Sequence, residues 1–245
     1  MAKLPDLVRA VSANTGFSEA SVKILARSLR EANWIQTGGR GRHGAEMGPA
    51  DGASLILGLA SPGEWTNAGS TLRKLARCHA AGVIVQQQKE FSICDPSIAL
   101  GGREIRDLDV RECLTLLINR YCPSERNDLQ FDAPDISPNM HVDDILRFFS
   151  EIALRGSSGI DVEDDIRVSA ISITSRFTEF YGTDAILRFM TESQNDFRVY
   201  FSSSRAKDHQ NRPRIGLSTT AMIPGEFVDT VVRCILEPNE VRSRS

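Results

Sequence analysis

The 245-residue chain lacks any run of about 18 apolar residues, the length a helix needs to cross a bilayer, so no membrane span is expected. Its first residues, Met1 to Pro5, lack the apolar core of a secretory signal, which leads to the expectation of a cytoplasmic protein. Cysteine is sparse: Cys78, Cys94, Cys113, Cys122 and Cys234 make an odd number at scattered spacing, with no Cys-x-x-Cys pair. That pattern argues against a disulfide framework and, with four histidines far apart in sequence, against a structural zinc site. Reduced, mostly buried thiols and no metal are expected.

Catalytic signatures are missing too. There is no Gly-x-Ser-x-Gly, no His-Glu-x-x-His and no dinucleotide fingerprint. The carboxylate clusters Asp143-Asp144 and Glu163-Asp164-Asp165 have nothing to fix an ion's geometry, and the first suits a helix N-terminus. His141 and His209 sit among polar residues, and Ser202-Ser203-Ser204-Arg205 reads as a strand end. No catalytic residue and no cofactor is assigned, and a non-enzymatic role is expected. No internal repeat is present.

What remains is an ordinary globular composition, 41% hydrophobic and 25% charged, enough for one large domain or two modest ones. A net charge of −3 argues against a chain coated with nucleic acid, but the charge is uneven. Residues 1–85 hold ten Lys and Arg against six Asp and Glu, and the rest holds 19 against 26. A basic end joined to an acidic partner domain gives that asymmetry.

The first 60 residues read as three helices and a loop. Pro5 suits the first turn of a helix through Leu7, Val8 and Val11, and Asn14-Thr15-Gly16 ends it. Ser18 caps a second helix reaching about Asn33. A glycine-rich loop follows, and Pro49 opens a third helix to Ala60 with Leu55, Ile56 and Leu59 on its apolar side. Beyond the breaker Ser61-Pro62-Gly63, Ser70 caps a fourth helix to about Arg77. Val83–Ile93 reads as one hairpin strand returning near Ile98, Asp107 or Asp109 caps a helix to Tyr121, and 141–154 has helical spacing. Four β-rich runs, 167–177, 185–191, 197–203 and 214–222, predict an antiparallel meander, closed by a helix opening at Pro224-Gly225.

The second helix carries two stripes. Val22, Leu25, Ala26 and Leu29 fall on one, and Lys23, Arg27 and Arg30 on another roughly 100° around the axis. One helix fits the major groove, where long cations reach phosphates and guanine edges. A solvated helix face explains the same pattern without function. The loop behind it, Gln36-Thr37-Gly38-Gly39-Arg40-Gly41-Arg42-His43-Gly44, has no acid until Glu46. Glycine lets backbone approach a phosphate chain, and arginine enters a narrow minor groove, so the composition is that of a wing. A nucleotide-phosphate loop and a plain linker are the competing readings; the first lacks its Gly-x-x-x-x-Gly-Lys-Ser/Thr sequence.

Residues Leu7 to Ala60 resemble the winged helix-turn-helix family, in an order similar to MerR-type regulators. Leu7 to Val11 match the first helix, Asn14 to Ser18 the turn, Val22 to Ala32 the recognition helix, with Trp34-Ile35 closing it, then the wing, then Pro49 to Gly52 opening the next helix. Thr37 to Arg42 also resembles N-terminal modules of phage and prophage-type regulators. The resemblance covers a quarter of the chain. It lacks the long coiled coil and the effector-binding set of MerR-type proteins, so no ligand response is implied.

The resemblance implies DNA contacts from Ser21, Lys23, Arg27, Arg30, Thr37, Arg40, Arg42 and His43, with Arg73, Lys74 and Arg77 as an added cluster that also reads as a solvated face. The fold class expected is α+β: a winged helix-turn-helix over 1–82, an α+β domain with a meander sheet and C-terminal helix over 83–240 for dimerisation or protein contact, and a tail over 241–245. The expected role is a sequence-specific DNA-binding transcriptional regulator of phage or prophage type. Its partners would be double-stranded DNA, a second copy or higher oligomer, and another protein through the acidic part. A DNA-packaging or replication accessory protein and an antagonist of another regulator are the alternatives.

Overall fold

The computed structural model describes residues 2–38, 44–61, 65–87, 90–94, 99–100, 103–119, 161–162, 166–176, 184–191, 196–202 and 218–236. They form an α+β fold of helices packed with antiparallel strands.

Helix α1 (Leu4–Thr15) buries Leu7, Val8, Ala10 and Val11 and stops at Gly16, whose φ of 72° is the left-handed value glycine adopts freely. Three residues later α2 (Glu19–Glu31) begins, its first turn capped by the Ser18 hydroxyl, which accepts from the Ser21 amide at 3.2 Å. Helix α2 ends two residues short of the expected Asn33. Asn33 itself turns left-handed at φ 61°, with its amide on the Arg30 carbonyl (3.0 Å) and the Trp34 amide on the Leu29 carbonyl (2.8 Å). This paired closure is a Schellman stop, with Asn in the position glycine usually takes.

Helix α3 (Pro49–Leu59) is the hub. The sequence predicts one apolar side, yet every residue from Asp51 to Gly58 is buried and Leu59 only partly so. A helix apolar all round must be enclosed, and here α2, α4 (Ala68–Leu75), α5 (Val110–Asn119) and α6 (Gly225–Leu236) pack around it. Glycines allow the close approach: a Cβ on Gly58 would meet the Leu25 and Leu29 side chains at 3.0 Å. In α4, a Cβ on Gly69 would lie 2.5 Å from the Ala32 Cβ. Helix α4 starts at Ala68 after a 3-10 turn, earlier than the expected cap at Ser70, whose hydroxyl instead donates to the Asn67 carbonyl. Asp109 rather than Asp107 caps α5: its Oδ1 accepts the Glu112 amide (2.8 Å) while Glu112 accepts the Asp109 amide (3.1 Å). Burial holds the Asp109 carboxyl above its ordinary range.

The main sheet has strands β1 (His79–Gln87), β2 (Glu90–Cys94), β6 (Ile166–Arg176), β7 (Asp184–Thr191), β8 (Asp196–Ser202) and β9 (Ser218–Pro224), in the order β2-β1-β8-β7-β6-β9 with every pairing antiparallel. Short strands β3 (Ala99–Leu100), β4 (Arg103–Glu104) and β5 (Asp161–Val162) make a second sheet. The expected hairpin between Val83–Ile93 and Ile98 is instead folded inside that stretch, as β1 and β2. The four-strand meander also needs correction. Strands β6, β7 and β8 follow one another, but β9 pairs with β6, because β1 occupies the other edge of β8. As an edge strand β9 tolerates Pro224, which has no amide to donate.

Register follows the apolar pattern. Val83 faces Val199, Val199 faces Leu187, Leu187 faces Ile171, and Ile171 faces Ile223 across five strands. Phe189 and Phe197 sit opposite each other and stack at 5.0 Å. A register shift between Val168 and Ala170 keeps Val168, Ile171 and Ile173 opposite Phe189, Leu187 and Ala185. The sequence boundary at 82/83 falls inside β1, which pairs with β8, while α1 packs against α6. Buried side chains from both sides of that boundary join one hydrophobic cluster. The expected helix at 141–154 and the tail lie outside the described residues.

Two outcomes are expected. Gly69→Ala should lower stability by about 1–3 kcal/mol through overpacking, despite roughly 1 kcal/mol of better helix propensity; equal or higher stability in urea denaturation would contradict this packing. Cys78, Cys113 and Cys234 are buried thiols, and burial pushes the Cys113 thiol up and away from the reactive thiolate. Iodoacetamide should leave all three unmodified in the native chain and label them on unfolding, as peptide mass mapping would read.

Candidate nucleic-acid interface

Helix α2 buries Val22, Leu25, Ala26 and Leu29 and turns its cations outward. Burying each large aliphatic side chain is worth about 1.5–3 kcal/mol, so packing alone fixes which face stays outside. Lys23 and Arg27 are exposed, with side chains 63% and 75% accessible, and Arg30 is exposed as well. Each of the first two holds a carboxylate one turn away: Lys23 to Glu19 at 2.9 Å and Arg27 to Glu31 at 2.7 Å. Glu31 holds the Arg27 guanidinium above its ordinary pKa. Exposed pairs of this spacing are weak and salt-screened, so they yield readily to a polyanion. The Arg30 guanidinium has no partner among the described residues.

Ser21 is partly buried, and its hydroxyl shares a 2.9 Å hydrogen bond with Ser18 at the helix start. Thr37 is exposed. Arg40, Arg42 and His43 lie outside the described residues. Arg73, Lys74 and Arg77 are all exposed, on and just after α4, which packs beside α2 at Gly69 and Ala32.

The two ends of the glycine-rich loop are tied to one buried side chain. Asp51, only 2% exposed, accepts the Gln36 amide on Oδ1 (2.8 Å) and the Gly48 amide on Oδ2 (2.9 Å). One carboxylate therefore ties the entry and exit of the 36–48 segment together. It sits in the first turn of α3, where the helix dipole favours a negative charge. Gly38 runs against Ala45 so closely that a Cβ at 38 would lie 2.0 Å from the Ala45 nitrogen. Farther along, the Met47 amide donates to the Ala2 carbonyl at 2.9 Å. The described ends of the loop carry no β-hairpin; the only bridge is between Lys3 and Glu46.

A second support comes from α5, and sequence reading missed it. Arg111 donates to the Ser54 hydroxyl at 2.7 Å and to the Ala50 and Trp34 carbonyls at 3.3 and 3.4 Å, and its guanidinium stands 5.4 Å from the centre of the Trp34 ring. Trp34 in turn donates its indole N–H to the Gly69 carbonyl at 3.1 Å. The Schellman stop, the loop base and three helices are thus joined through one tryptophan. Asp51 had a local signal, an acid two residues after Pro49, but its bond to Gln36 and the reach of Arg111 are long-range and had none.

No known protein family, no curated protein and no solved structure matches the chain. Among the described residues, no group of three or more His, Cys, Asp or Glu stands close enough to hold a metal ion, and no helix is long and apolar enough to cross a membrane. Asp143-Asp144 and Glu163-Asp164-Asp165 lie outside those residues.

Asp51→Ala orphans two backbone donors, at about 1–3 kcal/mol each. The variant should unfold at lower urea, and trypsin should cut after Arg40 or Arg42 faster than in the parent chain; Asp51→Asn, which keeps one acceptor oxygen, should fall between. Unchanged stability and cleavage would show that the clamp does not hold the loop base.

Proposed function

We propose that the chain is a DNA-binding protein whose α2 enters the major groove, with the arginine-bearing segment after it lying over the adjacent backbone. The observation carrying this reading is the division of α2. Four apolar side chains fix it to the core, while Lys23, Arg27 and Arg30 stay exposed together. The three-residue turn from α1 is of helix-turn-helix length, and Ser21 in the first turn of α2 would donate to a phosphate there. The Asp51 clamp supports the wing role. It holds Gln36 and Gly48 to one carboxylate, and these residues flank in sequence the stretch that carries Arg40, Arg42 and His43.

The finer reading, a winged helix-turn-helix transcriptional regulator of phage type, follows from the resemblance of residues 7–60, and a dimer formed through the second part of the chain would suit paired half-sites. In it Arg73, Lys74 and Arg77 extend the footprint along the backbone. A second reading, in which the same face docks a protein, draws on the exposed side chains Phe17 and Ile24. A stable heterocomplex in a chain without DNA affinity would favour it.

Gel-shift titration decides between them. The parent chain should bind duplex DNA with an affinity that falls steeply as salt rises, because cations on phosphates release counterions. Changing Lys23, Arg27, Arg40 and Arg42 together to alanine should abolish binding, and changing any one of them should weaken it and reduce the salt slope by about one unit for a phosphate contact removed. Affinity equal to the parent's would overturn the proposal.

A further inference from the structure

Only two large apolar side chains are exposed among the described residues, Phe17 at 47% and Ile24 at 51%. Single exposed apolar residues are common and need no explanation by themselves. Phe17 has one: it meets Trp65 edge-on at 4.7 Å, covering the turn between α1 and α2. Ile24 is different. The core is served by its neighbours Val22, Leu25, Ala26 and Leu29, all at 2% exposure or less. Helix propensity does not call for it either, since a β-branched residue is a poorer helix former than Ala, Lys or Glu on an open face.

Its position is central to the cationic surface. At 100° per residue, Ala20, Ile24, Arg27 and Glu31 lie within an arc of roughly 60° opposite the buried stripe. Lys23 and Arg30 stand to one side of that line, and Ser28 on the other is tied down by its bond to the Thr66 carbonyl at 2.7 Å. The outermost line of α2 is thus a small residue, an isoleucine, an arginine and the glutamate paired with that arginine. A helix docked in the major groove puts that line against the base edges and its flanking cations against the phosphates. The groove has one apolar feature, the thymine C5-methyl group. Three exposed cations, Lys23, Arg27 and Arg30, outnumber the two exposed acids Glu19 and Glu31 on this helix, and the two ion pairs are weak enough to open, so the charge of the face favours a polyanion as its occupant.

We propose that Ile24 is a specificity-determining residue that packs on thymine methyl groups, with α2 set in the groove by its cations. This rests on the DNA-binding reading above. Duplexes selected by the full chain from a random 20-base-pair pool, and the same duplexes made with deoxyuridine in place of thymidine, provide the test. The parent chain should lose about fourfold in affinity for each methyl group it contacts. Ile24→Ala should bind the thymidine duplex more weakly by a similar factor and show no preference between the two forms. Ile24→Val, which keeps an apolar tip, should retain most of the preference. Equal binding of both forms by the parent, or a full preference surviving in Ile24→Ala, would overturn the inference and leave the DNA reading standing. A chain that selects no duplex at all would overturn both, through the failure of DNA binding itself. Because Ile24 lies outside the core, the variants should fold, and circular dichroism checks that they do.

Discussion

The carboxylate of Asp51 is the interaction on which the basic end of the molecule depends. Burying an ionised carboxylate is costly unless its oxygens find donors. Here each oxygen has one: Gln36 on one side, Gly48 on the other, with the first turn of α3 adding its dipole. In meeting its own needs the group joins two points separated by eleven intervening residues, and that closure makes a loop of a segment rich in glycine. Arg111 and Trp34 extend the same junction to α5 and α4. The position of the cationic face relative to the loop is therefore a property of buried polar chemistry, while the cations themselves contribute little to folding.

Around this junction the helices are arranged by α3. Being apolar on all sides, it is stable only when enclosed, and the helices that enclose it come from both ends of the chain. Helix α6, which starts only at Gly225, packs on α1 and α3 and also on β6 and β9. The pairing of β1 with β8 adds another long connection. Both features link the basic first part to the sheet, so a movement of one would be felt by the other through packed side chains rather than through a linker.

Local rules made much of this legible. Gly16, Ser18 and Pro49 mark helix ends where single residues meet a specific backbone need, and the ends fall within a residue or two of expectation. The β-rich runs also sit close to β6, β7 and β8, because alternation reports a half-buried sheet. Asn33 ended α2 early because its left-handed conformation is a choice a non-glycine residue does not announce. The order of β9 and the place of β1 were not readable, since edge competition for β8 is settled by pairing across more than a hundred residues. On the cationic face, periodicity identified which side of α2 would be exposed, but not the acid partners Glu19 and Glu31 or the lone outward isoleucine. Those depend on which neighbours the fold supplies.

If the outward face of α2 is the surface that meets DNA, binding must be felt there first. Amide chemical-shift mapping of the full chain, titrated with duplex DNA at low salt, addresses it most directly. The largest changes should fall on Ala20, Lys23, Ile24, Arg27 and Arg30 and on the segment between Gln36 and Gly48, with the buried positions of α3 little changed. Changes confined to the sheet or to α6, with α2 silent, would contradict it.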